Sequence, residues 1–277
     1  MFGLKGLRSL AAMLAVMTFT AGAMVDGAHA QSAPQSTLDQ VISSKKLRVG
    51  IILSLPPFGM KNEKGEPEGF DVDIAKMAAE RLGANLEIVD TTAADRIPNL
   101  RTNKVDLIIG QFTRNAERAK VVTFSDPYIT AVVIAIAVPK DSSAATARDL
   151  DGKRVAVIKG TTQDAAFSKA VPGAQIQRFD TSAAALLALK QGQVDAMIED
   201  SNFLNYQAKL DPNFKVIIDP SFKDLIDYNS IGLRRGDPDW LNWVNMFVFE
   251  LNVYGKGAET YRKWFNADMP APLNPSY

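Results

Sequence analysis

Short apolar runs alternate along the chain with stretches whose apolar residues fall three or four positions apart, the periods of strand and helix. Leu47 to Leu53 (LRVGIIL) reads as a strand, turned by Ser54-Leu55-Pro56-Pro57-Phe58, and Asn62 to Glu68 reads as a hairpin or loop. Asp71 to Leu82 has apolar residues at 74, 77, 78 and 82, a helical spacing that Gly83 ends. A strand (Leu86 to Val89), a short helix (Ile97 to Leu100) and another strand (Val105 to Ile109) follow. This alternation predicts a parallel sheet covered by helices.

A long apolar strand from Tyr128 to Val138 leads, through polar residues, into a second unit of the same grammar. It consists of a strand (Arg154 to Ile158), a loop (Lys159-Gly160-Thr161-Thr162), a helix from Gln163, a strand near Ile176, a helix (Ser182 to Lys190) and a strand (Val194 to Ile198). Each unit closes on polar residues: Gly110-Gln111 in the first, Glu199-Asp200 in the second. The chain ends with a strand near Ser230 to Leu233, a helix from Asp237 carrying Trp240, Trp243, Phe247 and Leu251, and a helix carrying Tyr261 and Trp264. The helical spacing of these aromatics predicts core packing. Gln31 to Gln40 is polar and expected to be loose, and APLNPSY reads as a tail.

The first thirty residues stand apart. Lys5 and Arg8 precede an apolar stretch from Leu10 to Val25, and Ala28-His29-Ala30 has the small residues of a secretory cleavage site, so a cut is expected before Gln31. The apolar stretch falls short of the roughly 20 residues that span a bilayer. Removing Lys5, Arg8 and Asp26 from the balanced 31 and 31 leaves 29 basic and 30 acidic residues, a surface without particular attraction for nucleic acid or anionic lipid. The 277 residues include no cysteine, which excludes disulfide and thiolate chemistry and a lipid-anchored cysteine, and the one histidine, His29, lies in the segment to be removed. Histidine triads and histidine metal sites are thereby excluded, and no cofactor is expected.

Open α/β sheets bind ligands at the carboxyl ends of their strands. Three stretches qualify: the charged run behind Val105 to Ile109, which carries Arg114, Glu117, Arg118 and Lys120; Gly160-Thr161-Thr162, where hydroxyls and free helix N–H groups would seat an anion; and Asp200. Each has a plainer reading. Thr161 or Thr162 can simply cap a helix, Asp200 can cap one beginning at Ser201, and Arg118 can be a surface charge. Glycine followed by two threonines is also far short of a phosphate loop.

Gly69-Phe70-Asp71-Val72-Asp73-Ile74, with Ala78-Ala79 and Leu82, resembles the signature of the polar amino-acid-binding family of periplasmic solute-binding proteins, which serve ABC importers. Arg96-Ile97-Pro98, Lys104-Val105-Asp106, Glu117-Arg118, Phe124-Ser125-Asp126-Pro127-Tyr128, Gly160-Thr161-Thr162 and Gly192-Gln193-Val194-Asp195-Ala196 extend the likeness, in order, over nearly the whole mature chain. The resemblance implies an α/β fold of two lobes, each a mostly parallel sheet flanked by helices, joined by two crossing strands near 131–137 and 226–232. Residues 1–30 would be the signal peptide, 31–133 and 229–277 the first lobe, and 134–228 the second.

The resemblance also implies roles. Arg118 matches the arginine that clamps the ligand's α-carboxylate, with Thr113 on the first lobe and Thr161-Thr162 on the second. Asp200 matches the carboxylate that receives the α-ammonium, Gln111 lines the amine side, and Phe58 matches a ring that covers the ligand's aliphatic part. Arg96 and the asparagine in Thr113-Arg114-Asn115-Ala116-Glu117-Arg118 resemble members that bind glutamate and aspartate. Ile52 and Ser182 stand where those members have an arginine and a histidine, and Ala93 replaces an aromatic that stacks basic side chains. The expected order of ligands is therefore glutamate or aspartate first, then glutamine or another polar amino acid. The expected partners are a free amino acid and the permease of an inner-membrane ABC importer. A periplasmic monomer is expected, with no nucleic-acid partner and no stable membrane insertion after cleavage. An enzyme resembling cyclohexadienyl or arogenate dehydratases, with Glu199 or Asp200 as general acid, and a ligand-sensing partner of a receptor are the alternatives.

Overall fold

The computed structural model describes residues 35–222 and 225–270; the expected leader, 1–30, and the tail from 271 lie outside the described residues. In chain order the elements are α1 (Thr37–Ser44), β1 (Lys46–Ile51), β2 (Met60–Lys61), β3 (Pro67–Glu68), α2 (Phe70–Leu82), β4 (Asn85–Asp90), α3 (Arg96–Arg101), β5 (Leu107–Ile108), α4 (Ala116–Ala119) and β6 (Thr123–Pro139). They continue with β7 (Arg154–Ile158), α5 (Thr162–Ala170), β8 (Gln175–Phe179), α6 (Ser182–Lys190), β9 (Ala196–Asp200), α7 (Ser201–Leu210), β10 (Phe214–Ile217), β11 (Ile226–Leu233), α8 (Pro238–Val253) and α9 (Lys256–Phe265).

The two lobes of this α/β fold repeat one construction. β1 pairs in parallel with β4 and β5, as β7 does with β8 and β9. β6 is long enough to serve both, antiparallel to β11 in one lobe and to β9 and β10 in the other. The repeat extends to its ion pairs. The backbone N–H of Arg48 donates to Asp106 Oδ2 at 2.9 Å and its guanidinium to Oδ1 at 2.6 Å; Arg154 does the same to Asp195, at 2.9 and 2.7 Å. In each lobe a Val-Asp pair thus fixes the start of the last parallel strand beside the first, and the carboxyl ends of these strands face the same way.

The Gly-Phe-Asp signature has a physical reason. Gly69, at φ 133°, lies so close to the chain around Phe58 that a Cβ there would overlap the Phe58 carbonyl. The N–H of Phe70 donates to Pro57 O at 3.0 Å and that of Asp71 to Phe58 O at 2.8 Å. Phe70 is then fully buried among the rings of Phe58, Tyr128, Tyr261 and Phe265, at centroid distances of 5.8 to 6.4 Å. The C-terminal aromatics pack as expected: Trp240 is 1% exposed, and Trp243 stacks on Trp240 at 5.2 Å and on Phe247 at 5.7 Å.

Two expectations are corrected. The stretch read as loose to Gln40 is helical from Thr37, because Ser36 caps α1 and both Ser36 Oγ and the Thr37 N–H donate to Asp237, which itself caps α8. That partner lies about two hundred positions away, beyond the reach of a local pattern. The strand read as Val194 to Ile198 instead runs Ala196–Asp200, so Glu199 and Asp200 are its last residues.

Asp71 sits in the first turn of α2, 1% exposed, and accepts a hydrogen bond from Tyr128 Oη at 2.9 Å. Burial pushes its carboxyl up to about 7, against the opposing pull of Tyr128, the Gln111 N–H and the charge of Arg96. Between the unfolded value, 3.8, and about 7 the folded protein holds a proton that the unfolded chain releases, so this contribution to stability is full below 3.8 and is lost as pH rises through 7. Asp71→Asn should therefore flatten the fall in unfolding free energy between pH 4.5 and 8 by about 1–3 kcal/mol, measured by urea denaturation. An unchanged slope would contradict the assignment.

Candidate functional site

The carboxyl ends of the parallel strands meet across one cleft. From the first lobe Ile52, Ser54, Leu55, Ala93, Arg96, Gln111, Thr113 and Arg118 line it. From the second come Ile158, Thr161, Thr162, Gln163, Asp180, Thr181, Ser182, Glu199 and Asp200. Seven of the eight residues singled out from the sequence are thus brought together. Phe58 is not: its ring is fully buried inside the first lobe, edge-on to Phe265 at 4.9 Å, because its N–H turns back to Leu55 O and α2 packs over it. Ile52 and Leu55 supply the apolar wall on that side.

Arg118 is placed by Asn115, which accepts its N–H at 2.9 Å and caps α4. Its guanidinium donates to Thr113 O at 2.6 Å and, across the cleft, to Gly160 O at 2.8 Å. Arg96, 2% exposed, donates to the carbonyls of Ala93 (2.9 Å), Gly110 (3.1 Å), Gln111 (2.5 Å) and Gly160 (3.2 Å). Four of the five N–H groups of that guanidinium are thereby committed to backbone. Both guanidiniums lie over the buried ring of Phe112, 4.7 and 5.2 Å from its centroid. Burial lowers the pKa of each. The neighbouring Arg118 lowers Arg96 further, while Glu199 and Asp227 counter the shift at Arg96, and Asp227 does so at Arg118.

On the second lobe Thr161 is the N-cap of α5: it accepts the Asp164 N–H at 3.1 Å and donates to Ile158 O at 2.8 Å. Thr162 Oγ1 donates to Asp227 Oδ2 at 2.7 Å. Asp200, 1% exposed, accepts the Phe203 N–H at 2.9 Å and caps α7, so it combines the cap reading with a place on the cleft wall. Beside it Glu199, 4% exposed, accepts from Ser182 Oγ at 2.7 Å and from the Asp200 N–H at 2.6 Å. Burial raises both carboxyls, Asp200 further because Glu199 stands next to it, so an arriving ammonium group would favour the ionised pair.

The crossing strand β11 adds two residues that the sequence reading did not single out. Asn229, fully buried, donates to Gln111 Oε1 at 2.7 Å and accepts from Thr113 Oγ1 at 3.3 Å. Asp227 takes Thr162 and, at 3.4 Å, Gln163 Nε2. The signal available was a polar residue at alternate positions, 227 and 229, of an otherwise strand-like run, which puts both on one face. Gln111 Nε2 is a buried donor with no partner among the described residues, and Gln111 lines the cleft, so a ligand oxygen there would satisfy it.

The space between these side chains measures only about 20 Å³, close to that of one water. Among the described residues, no group of three or more His, Cys, Asp or Glu could hold a metal ion, and no helix is long and apolar enough to cross a membrane.

A cleft between two lobes, with a guanidinium on one wall and carboxylates on the other, defines a binding protein for a small zwitterion. Residues 47–267 match the family described as bacterial extracellular solute-binding proteins, family 3, and the chain belongs to it. It is similar to the glutamine-binding protein of Geobacillus stearothermophilus, 39% identical over 69% of this chain and 76% of the relative. The L-cystine-binding protein of Escherichia coli is 28% identical over 92% of this chain and 96% of the relative. Among solved structures, a mutant of ArgBP from T. maritima shares 40% identity with a TM-score of 0.77, covering 83% of this chain and 99% of that one. The ancestral amino acid-binding protein AncCDT-1 shares 37% identity at the same TM-score, over 83% of this chain and all of that one. The protein is accordingly an amino-acid-binding component that delivers its ligand to an ABC importer, and a binding protein rather than an enzyme.

Gly160, at φ 79°, carries the carbonyl that both guanidiniums reach, and a Cβ there would stand 2.9 Å from Ala94 Cα of the opposite lobe. Gly160→Ala should weaken ligand binding at least tenfold in calorimetry, beside a separate loss of roughly 1–2 kcal/mol of ligand-free stability to its backbone conformation. Unchanged affinity would show that the lobes do not approach here when ligand is held.

Proposed function

We propose that the cleft holds a polar amino acid with an uncharged side chain, glutamine first. Arg118, with Thr113 and the free N–H groups at the start of α5, takes the α-carboxylate. Asp200 takes the α-ammonium, Gln111 adds its amide, and Ile52, Leu55 and Ala93 enclose the side chain. The observation that carries this reading is the pairing of half-buried Arg118 and buried Asp200 on opposite walls of one cleft. Ligand contacts from both sides favour closure, and the importer's permease reads the closed shape.

The expected order, acidic amino acids first, is revised. It rested on Arg96 meeting a side-chain carboxylate, and Arg96 has four N–H groups on backbone carbonyls instead. The relative that binds glutamine points the same way. On this reading residues 1–30 direct export to the periplasm, the mature chain works as a monomer, and closure bends the crossing strands between a first lobe of 31–133 and 229–277 and a second of 134–228.

A thermal-shift screen of residues 31–277, unfolded and refolded to strip carried ligand, against the twenty amino acids tests the reading. Glutamine or another uncharged polar amino acid should give the largest shift. Arg118→Ala and Asp200→Asn should each weaken its binding by a hundredfold or more, from the roughly 2–5 kcal/mol lost with one partner of a buried charge pair. Asparagine keeps the helix cap, so Asp200→Asn should leave ligand-free stability nearly unchanged. Binding within threefold of wild type in either variant would overturn the assignment.

A further inference from the structure

Thr113 and Thr162 line the cleft on opposite lobes, yet both turn their hydroxyls to the crossing strand β11. A hydroxyl has one hydrogen to give, and a carboxylate only accepts. Thr162 Oγ1 donates to Asp227 Oδ2 at 2.7 Å, and the other acceptor within its reach, Gln163 Oε1 at 3.1 Å, also belongs to the protein. Thr113 Oγ1 donates to Asn229 Oδ1 at 3.3 Å. Asp227, 8% exposed, and fully buried Asn229 stand behind the residues that line the cleft.

Each of these partners gathers more than one group of a single lobe. Asp227 also accepts from Gln163 Nε2 at 3.4 Å, so it holds the first two residues of α5. Asn229 donates from Nδ2 to Gln111 Oε1 at 2.7 Å and lies opposite Thr113 in an isolated antiparallel bridge. Between the two, β11 slips in register against β6. Asp227 pairs with Val132 and Asn229 with Ile129, two steps on one strand against three on the other. Such a bulge adds twist and re-aims side chains. Here it separates a residue that serves the second lobe from one that serves the first.

The backbone supplies what the hydroxyls do not. The bridge to β11 is carried by the N–H groups of Arg114 and Ser230, which donate to Tyr228 O and Phe112 O, both at 3.1 Å. Thr113 therefore points its own N–H and C=O away from β11, and the C=O already receives Arg118 at 2.6 Å. The Thr113 N–H lies on that same side. On the other lobe Thr161 caps the Asp164 N–H, and the N–H groups of Thr162 and Gln163 precede it in the first turn of α5.

We infer that Asp227 is a positioning residue for the ligand's α-carboxylate, with Asn229 its counterpart on the first lobe: each takes the hydroxyl of its lobe's threonine and leaves the carboxylate to Arg118 and backbone N–H groups. This rests on the amino-acid reading above and assigns the contacts within it. Both half-sites are thereby referenced to one strand that the two lobes share.

The test is a double-mutant cycle, read by calorimetry with glutamine on the stripped mature chain. Thr162→Val and Asp227→Ala should each weaken binding about tenfold. The double variant should be no more than about threefold weaker than either, because the two residues act as one unit. Asp227→Asn, which keeps an acceptor for Thr162, should restore binding to within about threefold of wild type. Thr113→Val and Asn229→Ala should show the same non-additivity. The inference is overturned if Asp227→Ala binds as tightly as wild type while Thr162→Val does not, or if the two losses multiply in the double variant. A crystal structure of the wild-type chain with glutamine decides the matter even if Asp227→Ala does not fold. It should show Thr162 Oγ1 on Asp227, and an Oγ1 of Thr113 or Thr162 within about 3.2 Å of the α-carboxylate would overturn the inference. If the screen above returns another amino acid, the cycle is run with that one. A protein that binds no amino acid at all would instead remove the amino-acid reading, and the role of Asp227 with it.

Discussion

Two guanidiniums, one buried and one half-buried, converge on one backbone carbonyl. Arg96 and Arg118 both donate to Gly160 O from the opposite lobe, stacked over the single ring of Phe112. Like charges so close and so desolvated repel, and the arrangement holds only because carbonyls, the ring face and the carboxylates Glu199 and Asp227 surround them. The carbonyl they share belongs to Gly160, where a φ of 79° and the closeness of Ala94 on the opposite lobe call for glycine. It also separates the two arginines by task. One is committed to backbone on nearly all its donors; the other keeps donors for a ligand.

Much of the fold was legible because it is written twice. Leu47 to Leu53 with Val105-Asp106, and Arg154 to Ile158 with Val194-Asp195, are two copies of one strand-helix-strand unit, and each copy ties its arginine to its aspartate in the same way. The candidate site was legible where it follows a strand's carboxyl end, as at Gln111, Thr113, Thr162 and Asp200. It was not legible where partners come from far along the chain. Phe58 goes inward because α2 and Phe265 receive it, and Asn229 and Asp227 join the site only because the crossing strand returns between the lobes. A helix at Thr37–Ser44 was hidden for the same reason, since Asp237 holds its start.

Arg96 shows the limit of reading charge from sequence. An arginine near a binding site suggests an anionic group to meet, but the guanidinium's fork is also suited to gathering several carbonyls. Which of these it does depends on how the loops of residues 93, 110, 111 and 160 come together, and that is a tertiary fact.

The central claim is that ligand, gripped from both walls, draws the lobes together. Small-angle X-ray scattering of the stripped mature chain, with and without a saturating amino acid, tests it most directly. The account predicts a smaller radius of gyration on adding ligand and no change in the Arg118→Ala variant at the same concentration. A radius that stays the same while calorimetry shows the ligand bound would contradict it.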